Sequence, residues 1–180
     1  MYVRVGGGVE VEGWNTRMID ILLAPIEKKH IIRHLLELYV HDMSEWEQTD
    51  VNEAGLYGYK YLDHFWTEDG RYPYLMTADG HYCGFAFVRT APVQGEYNSI
   101  AEFFIMRKYR KHGLARHLLE YVHEHHLGEW SHSAHINNLV SQAMCRKVFP
   151  ALAVDGVQET VSEDTVEWRY TTSPNKHNPH

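Results

Sequence analysis

Two hydrophobic periods alternate along this chain. Residues 18–26, MIDILLAPI, form an apolar run that stops at Pro25, as a buried strand would. Ile31, Leu35, Tyr39 and Met43 then recur every fourth residue beside Ile32, Leu36 and Val40. Positions four apart share one side of a helix, so this stripe predicts an amphipathic helix. A polar stretch from 44 to 55 breaks the pattern, and the aromatic-rich segment YGYKYLDHFW, 57–66, reads as a second short helix or a loop. The period then changes: 72–77 and 82–90 read as strands around Asp79-Gly80, a pair favoured where both turn residues need positive φ. NSIAEFFIM, 98–106, predicts the next strand, and Leu114, Leu118 and Val122 with Ala115 and Leu119 the helix after it. GEWSHSAH, 128–135, reads as a strand. NLVSQAMCRKVF, 138–149, reads as a short helix closed by Pro150, since proline lacks the N–H that a helix interior needs. Two strands, near 156–161 and 165–170, surround a polar turn.

The order β-α-α-β-β-β-α-β-α-β-β, with no long linker or repeat, predicts one α/β domain over 17–171 built on a mixed sheet. Residues 1–16 alternate Val and Tyr around Gly6-Gly7-Gly8 and read as an N-terminal extension or a small hairpin. No Lys-Ser/Thr pair follows these glycines, so they are not a phosphate loop. Residues 172–180 read as a polar tail.

Composition narrows the function. The 180 residues carry a formal net charge of −7, which disfavours a nucleic-acid binder because such proteins present a basic face. No apolar window has the length of a membrane span, and residues 1–15 lack the apolar core of a signal peptide. Cys83 and Cys145 show neither a disulfide framework nor paired zinc spacing, so reduced thiols in a cytoplasmic protein are expected. His117, His123, His125, His126, His132 and His135 crowd one region, but no Cys, carboxylate or His-Glu-x-x-His pattern completes a ligand set, and no metal is expected.

Against this acidic background EFFIMRKYRKHGLARHLLEYV, 102–122, places Arg107, Lys108, Arg110 and Lys111 between a strand and a helix. A helix beginning near Gly113 offers unpaired N–H groups and the positive end of its dipole to an anion. Gly113 lets the backbone approach closely. The local reading is a phosphate or pyrophosphate site at 110–116.

From about residue 18 to 170 the chain resembles the GNAT-type N-acetyltransferases, which use acetyl-CoA. The likeness rests on FFIMRKYRKHGLARHLL, which matches the family's strand, linker and Arg/Gln-x-x-Gly-x-Gly/Ala turn. ADGHYCGFAFV, NNLVSQAMCRKVF and the element order support it. The resemblance implies a mostly antiparallel central sheet with flanking helices, opened into a V. It implies that the backbone of Phe103 and Ile105 pairs with the pantetheine arm, with the Ile105 N–H polarising the thioester carbonyl. By the same token the turn Arg110, Lys111, His112, Gly113, Leu114, Ala115 and Arg116 holds the CoA pyrophosphate, and Asn138 lies near the CoA arm.

Acetyl transfer needs a neutral amine, so something must take a proton from an ammonium. Glu102, in the strand before the Phe103 and Ile105 positions, is the candidate base. The family's usual proton-donating tyrosine aligns with Cys145, so a thiol is the candidate acid there. A thiolate with a pKa near 8.5 can also leave without an acid. An acetyl-enzyme on Cys145 or Cys83 is disfavoured, since no local His or Asp pattern marks an activated nucleophile. The aromatic first half (Tyr57, Tyr59, Tyr61, Phe65, Trp66, Tyr72, Tyr74) supplies core and acceptor-pocket candidates. The expected activity is acetyl transfer from acetyl-CoA to a primary amine of a small molecule or peptide, and a homodimer is compatible with it. The competing reading is a non-catalytic module that binds acyl-CoA.

Overall fold

The computed structural model describes residues 8–11, 14–91, 96–152 and 154–173. Among them eight strands form one sheet: β1 (Gly8–Val11), β2 (Trp14–Leu23), β3 (Arg71–Ala78), β4 (His81–Arg89), β5 (Asn98–Ile105), β6 (Gly128–His135), β7 (Val154–Val161) and β8 (Thr165–Thr172). Their spatial order is β1-β2-β3-β4-β5-β6-β8-β7. Every neighbouring pair is antiparallel except β5 with β6. Four helices flank the sheet: α1 (Lys29–Glu47), α2 (His64–Thr67), α3 (Leu114–His125) and α4 (Leu139–Val148).

Strand alternation sorts the core into two clusters. Tyr74, Met76, Ala86, Val88 and Ile105 join Leu114, Leu118, Leu119 and Val122 of α3 and Cys145 and Val148 of α4. Leu75, Phe85, Phe87 and Phe104, one residue out of step, join Ile32, Leu35 and Leu36 of α1 and Phe65 of α2. Successive strand residues point to opposite faces, so α1 and α2 cover one face, α3 and α4 the other.

The sheet divides at one point. Among the described residues β5 and β6 pair in parallel at Asn98↔Trp130 and Ser99↔Ser131 and nowhere beyond. Two residues later the β4–β5 register jumps: Val88 faces Ile100 and Phe87 faces Glu102, leaving Ala101 as a bulge. A bulge bends its strand and raises the local twist, and here it falls where β5 leaves β6. The remainder of β5, through Ile105, and the remainder of β6, through His135, are the two arms of a V.

Most predicted elements are present, and the departures have local causes. The strand expected over 18–26 begins at Trp14 and ends at Leu23, two residues before Pro25. Of the aromatic-rich 57–66 segment only its end is helical, in α2. Gln48 closes α1 in a left-handed conformation (φ 51), and Gly55 and Gly58 at φ 74 and φ 71 keep the connection irregular. Gly8–Val11 pairs with the first half of β2. The rest of the expected N-terminal segment (1–7, 12 and 13, with Gly6 and Gly7) and residues 174–180 of the expected tail lie outside the described residues. β7 starts at Val154, and Gly156, at φ 66, sits in a register shift that turns it.

Candidate functional site

The arm of the V formed by β5 has a free edge. Met106 N–H bonds Cys83 O at 2.9 Å. In an antiparallel ladder every second residue bonds its partner strand, so Phe104 and Glu102 follow Met106 in bonding β4. Phe103 and Ile105 turn their N–H and C=O groups the other way, toward the gap that β6 leaves. The carbonyl of Ile105 does point out of the ladder, since it accepts a hydrogen bond from Arg110 Nε at 2.7 Å.

The turn that follows is built on two left-handed residues, Lys111 (φ 67) and Gly113 (φ 76). Gly113 caps α3, and the first bond within that helix runs from His117 N–H to Gly113 O at 3.2 Å. The N–H groups of Leu114, Ala115 and Arg116 therefore have no acceptor inside the helix. Leu114, 2% exposed, roots this helix end in the core. Its side chain is committed to packing, and the backbone is what it can offer a ligand.

The basic charge of the turn is distributed differently from the sequence expectation. Arg107 donates to Asp42 Oδ1 from Nη2 at 2.7 Å and from Nε at 3.1 Å, and Arg110 Nη2 reaches Asp42 Oδ2 at 2.5 Å. Burial works against the Asp42 charge, but the two guanidiniums outweigh it and hold its carboxyl below the usual carboxylate range. Arg110 also lies over the Phe104 ring, 5.6 Å from its centroid. Arg116 pairs with Glu120 at 2.7 Å. The single Asp42 carboxylate thus offsets part of the positive charge expected of Arg107, Lys108, Arg110 and Lys111, and the arginines also shape the turn. Among the described residues no carboxylate pairs with Lys108 or Lys111. His112 is half-buried in the same turn.

On the other arm, Asn138 caps α4. Its Oδ1 accepts from Ser141 N–H at 3.0 Å, and its Nδ2 lies 3.8 Å from Met43 Sδ. The end of α1 thus touches both sides of the V, through Asp42 on one and Met43 on the other.

Glu102 faces the α1 side. Tyr59 Oη donates to its Oε1 at 2.8 Å, and Tyr39 of α1 lies within electrostatic reach of the same carboxylate. Burial raises the Glu102 carboxyl above its ordinary value; the Tyr39 and Tyr59 hydroxyls and Arg89 oppose that, while Glu47 adds to it. A half-buried carboxylate with raised proton affinity, beside a strand edge open to a ligand, is a better proton acceptor than an exposed one.

Cys145 is placed otherwise. It is fully buried in the cluster under α3 and α4, and burial pushes its thiol up to about 12. The expectation of a proton donor at Cys145 does not survive this burial; it is a small core residue. Cys83 is equally buried and likewise pushed up to about 12.

Sequence reasoning passed over Tyr39 and Asp42. Tyr39 belongs to the apolar stripe of α1 and reads as core, and Asp42 reads as one of many helix-surface acids. Their partners lie far along the chain, with Asp42 meeting Arg107 and Arg110 across separations of 65 and 68 residues. Among the described residues no group of three His, Cys, Asp or Glu side chains converges as a metal site, and no helix is long and apolar enough to cross a membrane.

A mostly antiparallel sheet that opens between two parallel strands, with a glycine turn into a helix at the end of one arm, defines the acyl-CoA N-acyltransferase fold. Solved structures agree. The ribosomal-protein-S18-alanine N-acetyltransferase of Escherichia coli matches with a TM-score of 0.59 at 15% identity, over 91% of this chain and 99% of its own. A GNAT-family acetyltransferase from Bacillus cereus ATCC 10987 matches at 0.57 and 22%, over 86% and 97%. Diaminobutyrate acetyltransferase EctA from Paenibacillus lautus, solved with L-2,4-diaminobutyric acid and coenzyme A, matches at 0.61 and 13%, over 86% and 95%. No curated protein matches the chain in sequence. The acetyltransferase (GNAT) family pattern matches residues 32–149, and the chain belongs to this family of N-acetyltransferases.

Proposed function

We propose that this enzyme moves an acetyl group from acetyl-CoA to the primary amine of a small molecule or peptide by direct transfer, with Glu102 as the base. The observation that carries this reading is the pairing, on one strand, of a backbone edge at Phe103 and Ile105 that no described strand covers with the carboxylate of Glu102 between them and the bulge. The open edge fits an extended amide-bearing arm, which would add to β5 as a strand does. The N–H groups of Leu114, Ala115 and Arg116, with Lys111, His112 and Gly113 leading into them, fit a pyrophosphate. Arg110 holds Ile105 and Asp42 and serves the site by fixing the turn. Asn138 marks the opposite wall.

Acetyl-CoA supplies the acyl group as a thioester. Glu102, directly or through one water, takes a proton from the incoming ammonium and frees the nitrogen lone pair. The Ile105 N–H is assigned to polarise the thioester carbonyl. As the C–N bond forms and the C–S bond breaks, the sulfur keeps the bonding electrons. The second amine proton passes to the thiolate through solvent, so no side-chain acid is needed and the buried Cys145 thiol takes no part.

Calorimetry with acetyl-CoA, followed by free-thiol release over a panel of amines, tests this reading. Binding with turnover is expected. Tight binding with no turnover on any amine would assign the chain to acyl-CoA binding without catalysis, and no binding at millimolar ligand would end both. Gly113→Val should weaken CoA by about tenfold or more, since a β-branched residue is strained in the left-handed region and its side chain enters the space at the helix end.

A further inference from the structure

We propose that Tyr59 is a positioning residue whose hydroxyl holds the Glu102 carboxylate and, with the Tyr39 hydroxyl on the same side, sets the pH range over which it can accept a proton. The inference rests on the reading of Glu102 as the base.

The two hydroxyls come from separate elements. Tyr39 stands on α1, with its ring edge-on to Phe85 and to Phe104, both at 6.0 Å between centroids. Tyr59 comes from the 48–63 connection, and its ring lies 5.8 Å from that of Phe87, which in turn stacks on Phe65 at 3.8 Å. The backbone carrying Tyr59 is pinned to α1 by Glu37, whose Oε2 accepts from Tyr57 N–H at 2.8 Å and whose Oε1 accepts from Gly58 N–H at 3.0 Å. Glu37 therefore fixes the loop, the loop fixes Tyr59, and Tyr59 fixes one carboxylate oxygen at 2.8 Å. Both rings are wedged among buried aromatics, so the hydroxyls have little freedom to leave.

The groups facing Glu102 pull in two directions. Burial and Glu47 of α1 favour the protonated acid; Tyr39, Tyr59 and Arg89 of β4 favour the carboxylate. Arg89 and, from β3, Arg71 also act on Tyr59. A phenol donates well to a carboxylate and poorly to a neutral acid, so each hydroxyl selectively stabilises the ionised form. With one removed, burial is less opposed and the carboxyl stays protonated to higher pH. A proton acceptor that is already protonated cannot serve.

The test uses the full chain with 13C-labelled glutamate, in wild type, Tyr39→Phe, Tyr59→Phe and the double variant. Phenylalanine keeps each ring in its aromatic surroundings and deletes only the hydroxyl. The Glu102 carboxyl titration, followed by NMR without substrates, should move to higher pH by about one unit per hydroxyl lost. The acidic limb of kcat/KM for acetyl-CoA-dependent thiol release should move with it, giving about a tenfold loss on the limb and little change on the plateau. An unmoved carboxyl titration would overturn the clamp. So would a loss of rate that is uniform with pH and follows the melting temperature, the mark of a purely structural role. If the titration moves but Glu102→Gln leaves the pH–rate profile unchanged, the clamp stands and Glu102 is not the base.

Discussion

On the α1 side of the sheet, Glu102 is half-buried among aromatic rings, yet the Tyr59 hydroxyl donates to its carboxylate and Tyr39 and Arg89 also favour its charge. On the α3 and α4 side, His132 is sunk among Phe149 and Trp168, at centroid distances of 5.6 Å and 6.2 Å, and neither ring nitrogen has a hydrogen-bond partner among the described residues. Its neighbour His123 has one partner, the Tyr170 hydroxyl at 3.0 Å. Burial drives all three groups toward neutrality, which means up for a carboxyl and down for an imidazole. On the first side that drive is opposed by the Tyr39 and Tyr59 hydroxyls and Arg89. On the second it runs almost unopposed, and His132 falls to about 4 and His123 to about 3. Depth alone therefore does not decide the charge of a buried group; the donors arranged around it do.

The largest test of this contrast is Glu102→Gln. It keeps the shape and one hydrogen-bonding oxygen but cannot accept a proton, so turnover below the amine's pKa should fall by about 10² to 10⁴ with the fold intact. Thiol release across pH, beside a melting curve, checks it; an unchanged pH–rate profile would remove Glu102 as base.

An intermediate effect is expected from the histidine side. The unfolded chain takes up a proton on each histidine near 6.5, whereas His132 and His126 in the fold do so near 4 and His123 near 3. Between those values the unfolded state holds more protons, so stability falls as pH falls from about 6.5 toward 4. Burial is the chief cause for all three, with positive neighbours adding to it for His123 and His126. His132→Phe removes one of these protons and two unpartnered nitrogens. It should flatten the acid branch of the urea or thermal stability curve and leave stability at neutral pH equal or higher. A curve as steep as wild type would show that the imidazole finds a partner.

The smallest effect is expected of Cys145→Ala. Loss of a buried sulfur should cost about 1 kcal/mol of stability, with activity within about twofold of wild type. A large fall in kcat at unchanged stability would restore the thiol to the chemistry.

How much of this was legible in the sequence depends on how local each cause is. The Asp79-Gly80 hairpin was, because turn chemistry is written in the two residues themselves, and both have positive φ (50 and 75). The glycine turn before α3 was legible for the same reason. The 48–63 connection was not, because Glu37, on a different element, holds its backbone. Glu102 stood out as a charge in an apolar strand, but its clamp was hidden: Tyr39 has the spacing of a core residue, and Tyr59 is one tyrosine among several. The positive charge of the turn was visible while its partial offset by Asp42 was not, since helix periodicity does not say which surface acid will meet which arginine.

One surplus residue, Ala101, has a consequence of its own. Deleting it would leave Ile100 and Glu102 on the faces they now occupy, because each already sits opposite consecutive β4 residues. What would vanish is the kink. A straight β5 could continue the ladder with β6 past Ser99, the two arms would zip together, and an open edge would become an ordinary seam. The cleft proposed for acetyl transfer is then an unfinished sheet, kept unfinished by a single count too many in one strand. The length of that strand guards the chamber as closely as the identity of any residue inside it.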